Sequence, residues 1–297
     1  MICELSFIDW QPHVEAFQIG SFSIRWYAFF WAIGLIAAYF IVKQLYMHQK
    51  ISLDKFDPLF LYCFFGILIG ARLGHCMFYE PEYYLGSLQG VVEMILPVKI
   101  QADGSWAYHG YAGLASHGGA IGCFLAMLIY SKRNAVKFSV VLDNVCIATP
   151  FTACCIRLGN LMNSEIVGSP TNVPWAFCFH THDSMVNGAL VPRHPAQLYE
   201  ALAYITIFIL LLIVYWRLNR YGARSGVGTG LYFGLCLTMI FTFRFFVEFI
   251  KKEQVDFEKG MALDMGQLLS IPFIIAGTYF AIRGIRLFKK YRNTQGS

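Results

Sequence analysis

Between Arg157 and Gly168 the chain reads Arg-Leu-Gly-Asn-Leu-Met-Asn-Ser-Glu-Ile-Val-Gly, which sets an arginine, two asparagines and a glutamate (Arg157, Asn160, Asn163, Glu165) directly after an apolar run. A charged side chain at membrane depth is costly even after snorkelling, and such groups face a polar cavity and a partner rather than lipid. The cluster therefore marks a candidate active site. Other polar landmarks stand at the ends of other apolar runs: Arg25-Trp26-Tyr27, His117-Gly118-Gly119, the segment from Arg193-His194-Pro195 to Gln197 and Glu200, and the segment from Arg244 through Glu248 to Lys251. Arg244 and Glu248 are four apart, so on a helix they share a face and can pair. Fixed guanidinium charge, amides and a histidine that titrates near neutrality are groups that hold a polar ligand and move a proton.

The elements that position these groups are apolar helices. Hydrophobic residues make up 57% of the 297 and charged residues only 14%, against about 25% charged in a soluble domain. This is the composition of an all-α integral membrane protein, and 17% aromatic content fits the belts that Trp and Tyr form at membrane interfaces. Seven stretches approach the roughly 20 residues a spanning helix needs: 24–42, 58–79, 110–130, 140–158, 198–216, 227–250 and 265–282. The net charge of +5 does not point to nucleic acid, because the basic residues are dispersed among loops and the tail.

Charge orients the spans. Lys43, Lys50 and Lys55 follow the first, Lys132, Arg133 and Lys137 the third, Arg217, Arg220 and Arg224 the fifth, and five more basic residues the seventh, together fourteen of the 23 Lys and Arg. The opposite side holds Lys99, Arg193, Lys251, Lys252 and Lys259. The positive-inside bias puts the N-terminus outside and the C-terminus in the cytoplasm, and the polar landmarks then converge on the outer side. The first 22 residues carry no Lys or Arg and no small-residue cleavage pattern follows, so the first span reads as retained rather than as a removable signal. Residues 1–297 read as a single polytopic membrane domain. The connections 80–109 and 159–197 are long for structureless loops and read as partly folded, forming a small outer head. The nine cysteines lack metal-ligand spacing and read as small apolar core residues, and no cluster suggests a metal. Gly66, Gly70 and Gly74 read as a small-xxx-small packing face.

In this order the landmarks resemble the prolipoprotein diacylglyceryl transferase family. The resemblance runs from about Ile19 to the last span, and its most specific element is the signature Arg-x-Gly-Asn-x-x-Asn-x-Glu-x-x-Gly, matched by Arg157, Gly159, Asn160, Asn163, Glu165 and Gly168. Ile156 stands where the family commonly has glycine and Leu161 where it commonly has phenylalanine. Lys251 stands where many members have an arginine; lysine keeps the charge but loses the bidentate fork, so the resemblance does not carry a phosphate clamp to Lys251.

The resemblance implies a multi-pass enzyme of the bacterial cytoplasmic (inner) membrane with its active site toward the outer leaflet and no cofactor. Its partners are phosphatidylglycerol and the lipobox of a preprolipoprotein signal peptide, with no role for nucleic acid. It moves the diacylglyceryl group of phosphatidylglycerol to the lipobox cysteine thiol and releases glycerol 1-phosphate. That chemistry needs positive charge at the departing phosphate and a base or electropositive setting at a thiol whose free pKa is about 8.5. Arg157 and Arg244 suit the first need and His117 the second. Tyr27, Asn160, Asn163, Glu165, Gly168, His194 and Glu248 are the expected substrate-binding residues. Most also have a bland reading: Arg157 as a side chain snorkelling at a span end, Asn160 and Asn163 as helix caps, Tyr27 as an aromatic-belt residue, His117 as a packing residue beside glycines, His194 as part of the start of span five, and Arg244 with Glu248 as a structural ion pair. A transporter would show internal repeats and broken helix pairs, which this chain lacks, and a scaffold would not need polar residues converging at one depth.

Overall fold

The computed structural model describes residues 7–13, 15–20, 22–101, 104–108, 113–181, 184–186, 189–219, 226–251 and 263–295. Three short strands, β1 (Ile8–Trp10), β2 (Glu15–Ile19) and β3 (Phe22–Arg25), precede helices α1 (Trp26–His48) and α2 (Leu53–Phe78). Next come α3 (Pro81–Leu85), α4 (Leu88–Ile95), the strands β4 (Val98–Ile100) and β5 (Trp106–Tyr108), and α5 (Ser116–Arg133). Helix α6 (Phe138–Met162) leads to β6 (Phe177–Phe179), β7 (Met185–Val186) and β8 (Ala189–Leu190), followed by α7 (Ala196–Asn219), α8 (Leu231–Glu248) and α9 (Met265–Gln295).

Each expected span falls on a helix, but among the described residues only α1, α2, α6, α7, α8 and α9 are long and apolar enough to cross a membrane. By that measure six crossings are accounted for rather than seven. The exception is α5, whose 18 residues open with Ser116-His117-Gly118-Gly119 and close with Ser131-Lys132-Arg133, so the apolar middle is short. Its expected start at residue 110 lies outside the described residues, as do Arg220, Arg224, Lys252 and Lys259. At the first span, Ile24 and Arg25 belong to a strand: β2 and β3 form an antiparallel hairpin in which Arg25 stands opposite Glu15, and the helix starts only at Trp26. Helix α9 continues well past residue 282 to Gln295, carrying the basic tail with it.

The chain divides into two compact units, one of residues 46–141 and one of residues 1–45 with 142–297. In the first, α2 packs on α5 through glycines. A Cβ placed at Gly70 would stand 2.4 Å from the Gly118 carbonyl oxygen, and one at Gly66 2.7 Å from that of Gly122. The expected small-xxx-small face therefore exists, and its partner is the glycine face of α5. The connection after α2 is folded, as expected: α3 and α4 are joined to the β4–β5 hairpin, and Arg72 of α2 lies beneath them. Its Nη2 donates to the Glu93 carbonyl at 2.7 Å and its Nε to the Met94 carbonyl at 3.3 Å, and its guanidinium sits 4.9 Å from the centre of the Tyr84 ring.

In the second unit, α8 and α9 approach closely at Gly234, Gly277 and Gly284. The N-terminus of α8 is capped from α6: Asp143, fully buried, accepts from the backbone N–H of Gly228 (2.9 Å), Gly230 (3.0 Å) and Phe233 (2.9 Å). A carboxylate suits the free N–H groups and positive end of a helix. Gly226, Gly228 and Gly230 all have φ between 77° and 87°, the left-handed backbone that glycine adopts without penalty. The connection after α6 is folded too. β1 pairs in parallel with β6, and Trp10, Leu161, Val167, Phe177, Phe179 and Leu198 form a small core there. Cys178 of β6 is held in a disulfide, which corrects its reading as an apolar filler; the other seven described cysteines are thiols.

Candidate functional site

Arg157 and Asn160 are three apart on the last two turns of α6, and Asn160 Oδ1 accepts from Arg157 Nη1 at 3.4 Å. The helix then turns sharply. Asn163 N–H bonds back to the Gly159 carbonyl at 3.1 Å and Glu165 N–H to the Asn160 carbonyl at 3.0 Å, while Ser164 and Ile166 take φ of 54° and 56°. Left-handed backbone is a genuine outlier for a β-branched residue such as Ile166, and strain of this kind gathers at functional sites. The turn brings the Glu165 carboxylate between two amides: Asn160 Nδ2 donates to Oε2 at 3.1 Å and Asn163 Nδ2 to Oε1 at 3.0 Å.

Helix α7 supplies the other wall. Gln197, Glu200 and Tyr204 are all buried and lie three, then four, residues apart, which sets them on one face. Glu200 is the centre of a charge network. Its Oε2 lies 3.2 Å from Arg157 Nε, near enough for an ion pair but off the line of a hydrogen bond. Its Oε1 lies 3.2 Å from Lys251 Nζ and accepts from the Tyr204 hydroxyl at 3.3 Å. Lys251 also donates to Glu248 Oε2 at 3.2 Å. The Glu248 carboxylate fits because residue 266 is glycine: a Cβ there would stand 2.6 Å from Glu248 Oε1.

Arg244 differs from its neighbours. The expected pair with Glu248 does not form; Glu248 turns instead to Lys251, three residues on. Arg244 is half-buried and, among the described residues, has neither a hydrogen bond nor an ion pair, although it and Arg157 both act electrostatically on Tyr204. So two carboxylates, Glu200 and Glu248, neutralise Arg157 and Lys251, and a third cation is left without a partner. That arrangement suits an anion.

Tyr27 packs on α6 at Gly159, where a Cβ would stand 3.1 Å from Tyr27 Cα, and Glu165 and Arg157 are the charged groups near its hydroxyl. Gly168 lies where three segments meet. Its N–H donates to the His194 carbonyl at 2.9 Å, its carbonyl accepts from Arg193 Nη1 at 3.1 Å, and a Cβ there would stand 2.6 Å from His194 and 2.8 Å from the Ile250 carbonyl. His194 lies outside the charge network. Its Nδ1 is 3.2 Å from the Tyr199 hydroxyl, which accepts from Trp175 Nε1 at 2.8 Å and so has its own proton free for the ring. Burial holds His194 below the usual histidine pKa. His117 belongs to the other unit, exposed in the first turn of α5. Tyr204 and Gly266 were missed from sequence, and Gln197 and Glu200 were noted as landmarks but given no role in the site. Gln197, Glu200 and Tyr204 are signalled by polar groups recurring on one face of an otherwise apolar helix.

The profile of the prolipoprotein diacylglyceryl transferase family matches residues 14–283. A Bacteroides fragilis protein named phosphatidylglycerol–prolipoprotein diacylglyceryl transferase is 53% identical over 273 residues, 92% of this chain and 94% of that one. Proteins of the same name from Porphyromonas gingivalis and Chloroherpeton thalassium are 40% and 38% identical, each alignment covering 95% of this chain and 96% of the relative. The signature residues that resembled this family build the turn after α6 and supply Arg157 to the charge network, and with a match over nearly the whole length the chain belongs to the prolipoprotein diacylglyceryl transferase family.

Proposed function

We propose that this chain is a transferase that moves the diacylglyceryl group of phosphatidylglycerol onto the lipobox cysteine thiol of preprolipoproteins and releases glycerol 1-phosphate, acting in the bacterial cytoplasmic membrane. The observation that carries the reading onto this site is Arg244, a half-buried guanidinium that has no carboxylate partner among the described residues and acts, like Arg157, on Tyr204. A thiolate lone pair forms the sulfur–carbon bond at the glycerol carbon, the carbon–oxygen bond breaks, and its electron pair departs on the phosphate. Arg244 and Arg157 stabilise that departing charge, a contribution worth about 10²–10³-fold for one such donor. His117 takes the thiol proton. Tyr27, Asn160, Asn163 and Glu165 shape the headgroup pocket, Glu248 anchors Lys251 at its edge, and Gly168 and His194 hold its frame.

Seven crossings, with α5 as the third, place the N-terminus and the site at the outer leaflet. Two features support this orientation: the bias of Lys and Arg toward the other side, and the disulfide at Cys178, since such bonds persist in oxidising compartments. Reporter fusions after Arg133 and after Arg217 should both report cytoplasm; an outer signal after Arg133 would remove α5 from the count. For the chemistry, purified protein in phosphatidylglycerol vesicles should add a diacylglyceryl group to a synthetic lipobox peptide and release glycerol 1-phosphate. An unmodified peptide in those vesicles would overturn the assignment.

A further inference from the structure

Two amides meet at Glu165. Asn163 donates its Nδ2 to the Glu165 carboxylate at 3.0 Å, and Gln197 donates its Nε2 to the Glu165 backbone carbonyl. A carboxylate and a carbonyl only accept, so neither amide can be turned round without setting oxygen against oxygen. Both carboxamide oxygens must therefore face elsewhere. There, Asn163 Oδ1 and Gln197 Oε1 are shut off from solvent and have no donor among the described residues; Gln197 itself is fully buried. Buried polar groups in folded proteins are nearly always paired, and an unpaired one calls for an explanation. Here two of the same kind occur on the two sides of one glutamate.

Their surroundings say what donor they await. Gln197 is one helical turn before Glu200, which pairs with Arg157, and Asn163 shares the Glu165 carboxylate with Asn160, which accepts from Arg157, so both acceptors border a cation given to the phosphate. Resting on the function proposed above, the ligand beside that phosphate is the glycerol headgroup, which carries two free hydroxyls and hence two donors. We propose that Asn163 Oδ1 and Gln197 Oε1 accept hydrogen bonds from the headgroup hydroxyls and so determine specificity for phosphatidylglycerol among anionic phospholipids. A site built to bond a hydroxyl rejects an analogue without it, because binding the analogue leaves the buried acceptors unpaired.

The test compares phosphatidylglycerol with phosphatidyl-1-propanol of the same acyl chains, which keeps the phosphodiester charge but has no headgroup hydroxyl. The full-length wild-type chain should favour phosphatidylglycerol by about 100-fold in kcat/KM, roughly tenfold for each acceptor. Gln197→Met and Asn163→Leu should each reduce that ratio about tenfold, and Asn163→Asp, which keeps an acceptor oxygen, should reduce it less than Asn163→Leu. Asn163 lies in a half-exposed turn, so its variants keep the test open where a fully buried Gln197→Met fails to fold. A wild type that uses both lipids equally, or variants that keep the wild-type ratio, would overturn the inference and mean that water fills these acceptors. A wild type that transfers from neither lipid would instead overturn the proposed function.

Discussion

Arg72 and Arg157 both stand within the last two turns of a long apolar helix, yet their surroundings are opposite. Arg72 faces neutral acceptors. Two last-turn carbonyls of α4 and the face of the Tyr84 ring surround its guanidinium, and a cation is favoured at the negative end of a helix. Arg157 sits in a network of formal charges with Glu200, Lys251 and Glu248, beside a third cation with no carboxylate and two amide oxygens with no donor among the described residues. A buried arginine whose described bonds end on neutral acceptors, two backbone carbonyls and a tyrosine hydroxyl, closes a scaffold. One whose neighbours are left partly unpaired is held ready for something that the chain itself does not supply.

The largest expected effect is at the counter-ion. Glu200→Gln keeps the shape but leaves Arg157 and Lys251 facing each other without a shared charge. Removing one partner of a buried ion pair costs about 3–5 kcal/mol, so the melting temperature in detergent should fall sharply and transfer should be lost with it. A melting temperature equal to that of the wild type would show that Glu200 is not the centre of the network.

Arg244→Gln should separate the two properties. With no ion pair among the described residues to break, the variant should melt as the wild type does while kcat falls about 10²–10³-fold, the usual loss of one transition-state donor. A variant with normal turnover would move the phosphate site away from Arg244. A variant that unfolds would make Arg244 a second Arg72.

The contrast between these regions also separates what was readable from the sequence. The helices were readable, because apolar length and basic connections depend on local composition; where a boundary failed, as at Arg25, a cross-strand partner at Glu15 had captured the residue. The glycine face Gly66, Gly70, Gly74 was readable as packing, and its partner on α5 followed only from the coordinates. Arg157, Asn160 and Glu165 were readable as a cluster because they are neighbours in sequence. The partners that give them meaning were not: Glu200 lies 43 residues beyond Arg157 and 51 before Lys251, and no spacing rule joins them. The local rule failed at Arg244, where the four-residue spacing to Glu248 is right but Lys251 competes for the same carboxylate and wins.

On the scaffold side, Arg72→Met should cost about 1–3 kcal/mol, the range for buried acceptors left unpaired, because the Glu93 and Met94 carbonyls lose their donor. Turnover per folded molecule should not change. Loss of activity beyond loss of folded protein would erase the distinction drawn between the two arginines.

The smallest effect is a pH dependence confined to that same scaffold. Burial pushes the Glu93 carboxyl up, but the hydrogen bonds from the Tyr83 hydroxyl (2.5 Å), the Ile100 N–H (2.8 Å) and Gln89 Nε2 (3.1 Å) outweigh it and hold Glu93 below its ordinary value. The same bond pushes the Tyr83 hydroxyl up to about 12, so Tyr83 keeps its proton and remains a donor at any working pH. A group whose folded pKa is depressed contributes stability above its unfolded pKa, about 4.3 for glutamate, and that contribution is lost as pH falls through the folded value. Glu93→Gln should therefore melt below the wild type at pH 7, and the gap should narrow as the pH is taken below about 4. Glu93 makes no contact with the Arg157–Glu200 pair among the described bonds, so transfer by the variant at pH 7 should match the wild type per folded molecule. A gap that stays constant down to acid pH would mean that the Glu93 side chain contributes by packing and not by its charge.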